Sequence, residues 1–177
     1  MSRPRDLGRR DELLAAVVAD CAEHGLGNRS LRDIADHVGT SHRMLIHHFG
    51  SREELMVAVV QAVEARQAAL AGELGGPPGD QLRAMWSHLS APSLRPLERL
   101  FFECYARGVQ GEQPFARMVP GTVEAWLAED GTTDPALVRL GLAVMRGLLL
   151  DLVATEDRTA VDAAAQAFVG LVRRAGA

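Results

Sequence analysis

Apolar residues recur at intervals of three and four along almost the whole chain, and nowhere do they alternate with polar ones long enough to build a half-buried strand. The pattern predicts an all-α fold. A first helix is expected over about 10–24, ended by Gly25 and Gly27. A second, over about 31–37, has Ser30 as its N-cap and Leu31, Ile34, Ala35 and Val38 on one face. Gly39 breaks it, and Ser41 caps a third, short helix over about 42–48. Ser51 and Glu54 have the spacing of a capping box, opening a fourth helix that runs to about Leu74. The stretch GGPPG at 75–79 reads as a hinge. Beyond it, helices are expected near 80–90, 94–109, 115–129, 135–155 and 160–174, with Pro120-Gly121 the natural place for a break.

The last two helices stand apart. Within ALVRLGLAVMRGLLLDLVA, residues 136–154, the charged positions are Arg139, Arg146 and Asp151, so one face against the core of a single subunit does not account for all the leucine and valine. The final helix, AVDAAAQAFVGLV, is rich in alanine and lets a neighbour approach closely. Together they predict pairing with a second copy of the chain.

Composition narrows the class without naming a function. At 177 residues and 47% hydrophobic the chain can bury a real core. No uninterrupted apolar run approaches the roughly 18 residues of a membrane span, and the start MSRPRDLGRRDELL lacks a signal peptide's apolar centre, so a cytoplasmic protein with no membrane partner is expected. Two cysteines are too few for a disulfide framework, and Cys21, in register with Leu14, Val17 and Val18, reads as a small core residue. The net charge is −4, but it is unevenly spread. Residues 29–52 carry four arginines and four histidines against Asp33 and Asp36, while residues 53–177 carry 11 arginines against 16 acids. A mildly basic head sits on an acidic body.

A helix, a glycine break and a short polar helix is the spacing of a helix-turn-helix, whose second helix enters the major groove of DNA. Placed on a wheel at about 100° per residue, His42, Ile46, Arg43 and His47 share one arc, Leu45 and Phe49 fall outside it, and Met44 and His48 lie between His47 and Leu45. Leu45 and Phe49 should anchor the helix while the donors point outward. Arginine reads guanine bidentately and histidine serves base edges and phosphates; on a lone helix the same face would be read as merely solvated. The neighbouring residues favour the groove. SLRDIADHVGTSHRMLIHHFGSREEL, residues 30–55, strongly resembles the DNA-binding signature of the tetracycline-repressor (TetR) family: Ser-Leu-Arg-Asp-Ile-Ala, then Val-Gly-Thr-Ser, a leucine, a His-Phe pair and Ser-Arg-Glu-Glu-Leu. With the first helix the resemblance covers about 50 residues; beyond residue 75 it is architectural only.

The resemblance implies an N-terminal helix-turn-helix domain over 1–50 and a ligand-binding and dimerisation domain over 51–177, joined by the long fourth helix, about nine helices in all. It implies that Ser30 and Arg32 meet phosphates and the groove edge, that Thr40, Ser41, His42, Arg43 and Met44 read bases, and that His47, His48 and Arg52 clamp phosphate. Ile46 stands where the family usually has tyrosine, so apolar contact with a thymine methyl or sugar is expected in place of a hydroxyl bond. The implied protein is a ligand-responsive repressor, not an enzyme and without cofactor, binding an inverted-repeat operator as a homodimer through its two C-terminal helices. A helical binding protein that has lost operator recognition is the alternative. A metal site among His42, His47 and His48 is disfavoured, because no two are four apart beside a carboxylate. In the body, Trp86, Phe101, Phe102, Tyr105, Phe115 and Trp126 pack a core or line a pocket. Trp86, Phe102, Tyr105 and Trp126 are the expected walls of the effector site, with His88, Glu103 and Arg107 as polar candidates. The fourth helix, joining head and body, is the expected lever between them.

Overall fold

The computed structural model describes residues 4–27, 29–129 and 134–175, and among these it contains nine α-helices, one 3-10 turn and no strand. The helices are α1 (Pro4–His24), α2 (Leu31–His37), α3 (His42–Phe49), α4 (Arg52–Glu73), α5 (Pro78–Leu89), α6 (Arg95–Val109), α7 (Phe115–Glu129), α8 (Pro135–Thr155) and α9 (Arg158–Ala175). The 3-10 turn, Pro92–Leu94, leads into α6. Every helix expected from periodicity is present. Two details differ. α7 runs unbroken through Pro120, whose outer face is exposed so that the disturbed turn lies at the surface. The capping box expected at Ser51 is half formed: its hydroxyl accepts from the Glu54 amide at 3.1 Å, while the Glu54 carboxylate accepts from Arg117 of α7 at 2.8 Å. The reciprocal box occurs instead at Ser30 and Asp33, where each side chain accepts from the other's backbone amide.

Two apolar clusters organise the molecule. The first joins Leu13, Val17 and Cys21 of α1 to Ile34 of α2, Leu45 and Phe49 of α3, and residues 55–60 of α4, then continues into Leu97, Leu100, Phe101 and Cys104 of α6 and Phe115 and Met118 of α7. Head and body therefore share one core, and α4 is not the sole link: α1 also packs on α6 and on the 3-10 turn. Burial pushes both cysteine thiols up to about 12, which suits inert core residues. The second cluster gathers Met85, Trp86 and Leu89 of α5 with Met145, Leu149 and Leu152 of α8 and Val161 and Ala165 of α9. At the expected hinge Gly76 has φ of +94°, and Gly79 is buried so closely on α9 that a Cβ there would meet Arg173 Cγ at 2.4 Å. Among the described residues α4 is the helix long and apolar enough to cross a membrane, which amends the expectation from run length; half of that stretch is buried inside the fold, as in a core helix.

Candidate functional site

The head is built around a short helix whose ends are fixed by local chemistry. Gly39 closes the turn after α2 with φ of +70°, a conformation that costs a side chain about 1 kcal/mol or more, and Gly50 ends α3 with φ of +83°. The Ser41 hydroxyl accepts from the Met44 amide at 3.2 Å, setting the start of α3, and the Thr40 amide donates to Ala35 O at 2.9 Å across the turn. Leu45 and Phe49 are buried, so the helix cannot roll. His42, Arg43, Ile46 and His47 consequently form the exposed face, with Met44 and His48 half-buried at its edges, as the wheel arranges them. The His47 and His48 rings meet edge-on at 4.9 Å between centroids. Arg32 lies exposed on α2, and the Ser30 hydroxyl is engaged with Asp33 as the α2 cap.

Arg52 does something other than what its position suggested. Its Nε donates to Arg29 O at 2.9 Å and one terminal nitrogen donates to Gly27 O, while the other lies 3.2 Å from the Met56 sulfur. The guanidinium ties the start of α4 to the loop between α1 and α2. Periodicity could not reveal this, because those carbonyls lie 23 and 25 residues away.

In the body the four expected aromatics do not surround one cavity. Trp86 lies in the second cluster with Trp126 at its margin, Phe102 packs against both clusters, and Tyr105 sits against the first beside Phe101 at 5.5 Å between ring centroids. Both indoles are engaged, Trp86 donating to Asp162 at 2.8 Å and Trp126 to the buried Glu64 at 3.1 Å. His88 and Glu103 are exposed, and Arg107 binds Glu112 while its guanidinium lies 4.0 Å from the buried Phe115 ring centroid and reaches to 3.9 Å from the Met56 sulfur.

Other polar groups turn inward. Glu64 and Gln67 of α4, Glu98 of α6 and Arg146 of α8 meet where α4, α6, α7 and α8 converge. Arg146 donates to Glu64 at 2.6 Å and to Thr122 O at 2.9 Å, and its guanidinium lies 4.9 Å from the Phe101 ring centroid. Gln67 donates to Glu98 at 3.2 Å. Burial raises the Glu64 carboxyl despite the opposing charge of Arg146 and the bonds from Trp126 and Arg146. Among the described residues no cation bonds Glu98; burial and the nearby Glu64 charge, countered in part by the Gln67 bond and the charge of Arg146, lift it to about 7. A small cavity of about 10 Å³ opens between the two carboxyls and the apolar walls of Val59, Val63 and Phe101, room for about one water. One signal for this set is in the sequence: Glu64 and Gln67 fall in register with Val60 and Val63, polar positions on an otherwise apolar stripe.

Residues 13–59 match the family model for bacterial regulatory proteins of the tetR family. The chain is similar to the HTH-type transcriptional repressor AcnR of Corynebacterium diphtheriae, 34% identical over 67 residues that cover 38% of this chain and 35% of AcnR. It is also similar to the repressor KstR2 of Mycobacterium tuberculosis, 48% identical over 48 residues, 27% of this chain and 24% of KstR2. About a third or less of either repressor is thus shared in sequence. In three dimensions the likeness extends further: a TetR-family transcriptional regulator from Pectobacterium atrosepticum superposes with a TM-score of 0.71 over 97% of this chain and 95% of that one, at 21% identity.

Proposed function

We propose, from the premise that this chain belongs through its N-terminal domain to the TetR family of bacterial regulatory proteins, that it is a DNA-binding transcriptional repressor, acts in the cytoplasm as a homodimer, and releases an inverted-repeat operator on binding a small molecule. One observation carries the DNA reading: two buried anchors, Leu45 and Phe49, hold α3 so that Arg43, His42 and His47 present a row of donors to the outside. Residues 1–50 are the reading head and 51–177 the ligand-binding and dimerisation body, although one core runs through both. Thr40, Ser41, His42, Arg43 and Met44 face bases; Ser30, Arg32, His47 and His48 face the backbone; Ile46 makes an apolar contact. Arg52, bound to Gly27 and Arg29 carbonyls, serves by holding the loop that carries Ser30.

The dimer reading is supported by two faces. On α8, Leu137, Leu140, Val144, Gly147 and Leu150 fall within an arc of about 140°, opposite the buried Met145, Leu149 and Leu152. On α9, Ala160, Ala163, Ala164, Ala167 and Leu171 lie opposite the buried Val161, Ala165 and Val169. Two such pairs form a four-helix bundle about a two-fold axis and set the heads about one helical turn apart, roughly 34 Å. The effector enters beside Glu64 and Glu98, where Phe101 and Val63 wall the cavity and the Trp126 indole bonds Glu64; Phe102, Tyr105 and Trp86 lie behind this entry in the packed clusters and do not line it.

Selection from random DNA with the full chain tests the central reading. An enriched inverted repeat with half-sites about one turn apart is expected; a pool that stays random would leave only a helical binding protein.

A further inference from the structure

At the C-terminal ends of α1 and α2, three side chains from two helices converge. Asp20 and His24 are one turn apart at the end of α1, and His37 is the last residue of α2. The Asp20 carboxylate is buried, while both imidazoles are about half exposed. Asp20 Oδ1 lies 3.2 Å from His24 Nδ1 and 3.2 Å from His37 Nδ1. The three groups offer ligand atoms all within 4.8 Å of one another. Two helix C-termini meet here, and their partial negative charge favours a cation.

The arrangement around His37 is frustrated without one. Its Nδ1 faces the Asp20 carboxylate at 3.2 Å and an Arg29 nitrogen at 2.8 Å. A protonated Nδ1 serves the carboxylate but opposes the arginine; a bare one accepts from the arginine but repels the carboxylate. No single protonation state satisfies both contacts. Arg29 has other partners, since its second terminal nitrogen lies 2.7 Å from Asp20 Oδ2 and donates to Gly25 O at 3.0 Å.

We propose that Asp20, His24 and His37 form a binding site for a divalent transition-metal ion of the zinc and cobalt class. Ligand bonds of about 2.0–2.1 Å in a tetrahedron separate neighbouring ligand atoms by about 3.3 Å, and two of the three edges already have that length. Closing the third requires a movement of at most about 1.5 Å, within reach of two half-exposed imidazoles. The ion takes lone pairs from Oδ1 and the two Nδ1 atoms, with water as fourth ligand; the Arg29 nitrogen now 2.8 Å from His37 Nδ1 swings off that atom, while the other stays on Oδ2 and Gly25 O as an outer partner that orients the carboxylate. Bound there, it clips the end of α1 to the end of α2, just before the Gly39 turn into α3. The site shares no residue with the donors on α3 or with the cavity between Glu64 and Glu98, and it does not depend on the regulator reading.

The test is a cobalt titration of the untagged full chain after chelator treatment. Visible absorption reports tetrahedral coordination and calorimetry the stoichiometry. One ion per chain is expected, with a tenfold or greater loss of affinity in His24→Gln and in His37→Gln. Both replacements are at half-exposed positions, and circular dichroism checks that the fold is kept. His42→Gln and His47→Gln should bind as the parent does. The proposal fails if the parent chain takes up no cobalt, if the double His24→Gln/His37→Gln variant binds undiminished, or if the loss follows the α3 histidines instead.

Discussion

Arg146 of α8 and Glu64 of α4, 82 residues apart in sequence, meet at 2.6 Å in a site where both are largely buried. The pair joins the helix that presents the exposed leucine face to the helix that begins directly after α3. Removing one partner leaves the other charge without compensation in the interior. Arg146→Ala is therefore expected to cost about 3–5 kcal/mol in urea denaturation, and the double replacement Glu64→Leu/Arg146→Met to recover most of that loss. Additive losses in the double variant would mean that the pair is not the source of the cost.

Glu98 ties stability to pH. Its carboxyl is at about 7 in the fold against an ordinary value of 4.5, so the folded state binds the proton more tightly than the unfolded chain. The stabilising contribution is complete below about pH 4.5 and is lost as pH rises through about 7, by up to about 3 kcal/mol. Glu98→Gln keeps a partner for Gln67 without a titrating proton. It should unfold at a higher temperature than the parent at pH 8, and the gap should close by pH 5. A constant gap across that range would remove Glu98 as its cause.

Arg43 and Arg52 are expected to fail in different ways, because one is exposed on α3 and the other is bonded inside the head. Arg43→Ala should leave thermal stability unchanged, cost about 1–3 kcal/mol of operator affinity and relax preference at one base pair of each half-site. Arg52→Ala should lower the melting temperature and weaken all DNA sequences alike. Calorimetry together with binding to single-base operator variants separates the two. A stability loss in Arg43→Ala, or a base-specific loss in Arg52→Ala, would exchange their roles.

What the sequence discloses and what it hides have a common physical basis. The caps at Ser30, Ser41 and Ser51, the glycine turns and the split between Leu45 with Phe49 and the outward donors are local, set by neighbours within four residues, and periodicity reads them directly. Contacts that cross between helices are not local. The acceptors of Arg52, the Glu54–Arg117 bond and the meeting of Glu64, Glu98 and Arg146 depend on how elements pack, and an aromatic-rich stretch gives no sign of which rings will share a wall. His24 and His37, at the ends of two helices 13 positions apart, are hidden for the same reason, whereas the adjacent histidines of α3 draw the eye.

The leucines of α8 show how one side-chain step changes what an experiment tests. Leu149 has the position of an interface residue by composition, but it is buried in the subunit's own core, so an arginine there would unfold the body before it tested any dimer. Leu140 and Leu150, 56% and 50% exposed, lie on the opposite face. Within a single subunit, Leu140→Arg and Leu150→Arg should change stability by no more than about 0.5 kcal/mol. In the proposed bundle each would place a guanidinium against its symmetry mate or the alanine face of α9, and the nearest α9 carboxylate in sequence, Asp162, is already bonded by Trp86 and Arg158. The double variant is expected to be a folded monomer by light scattering, with the parent's helical circular dichroism and without operator binding. A double variant that remains dimeric would move the interface off α8, and a parent chain that is itself monomeric would remove the bundle altogether.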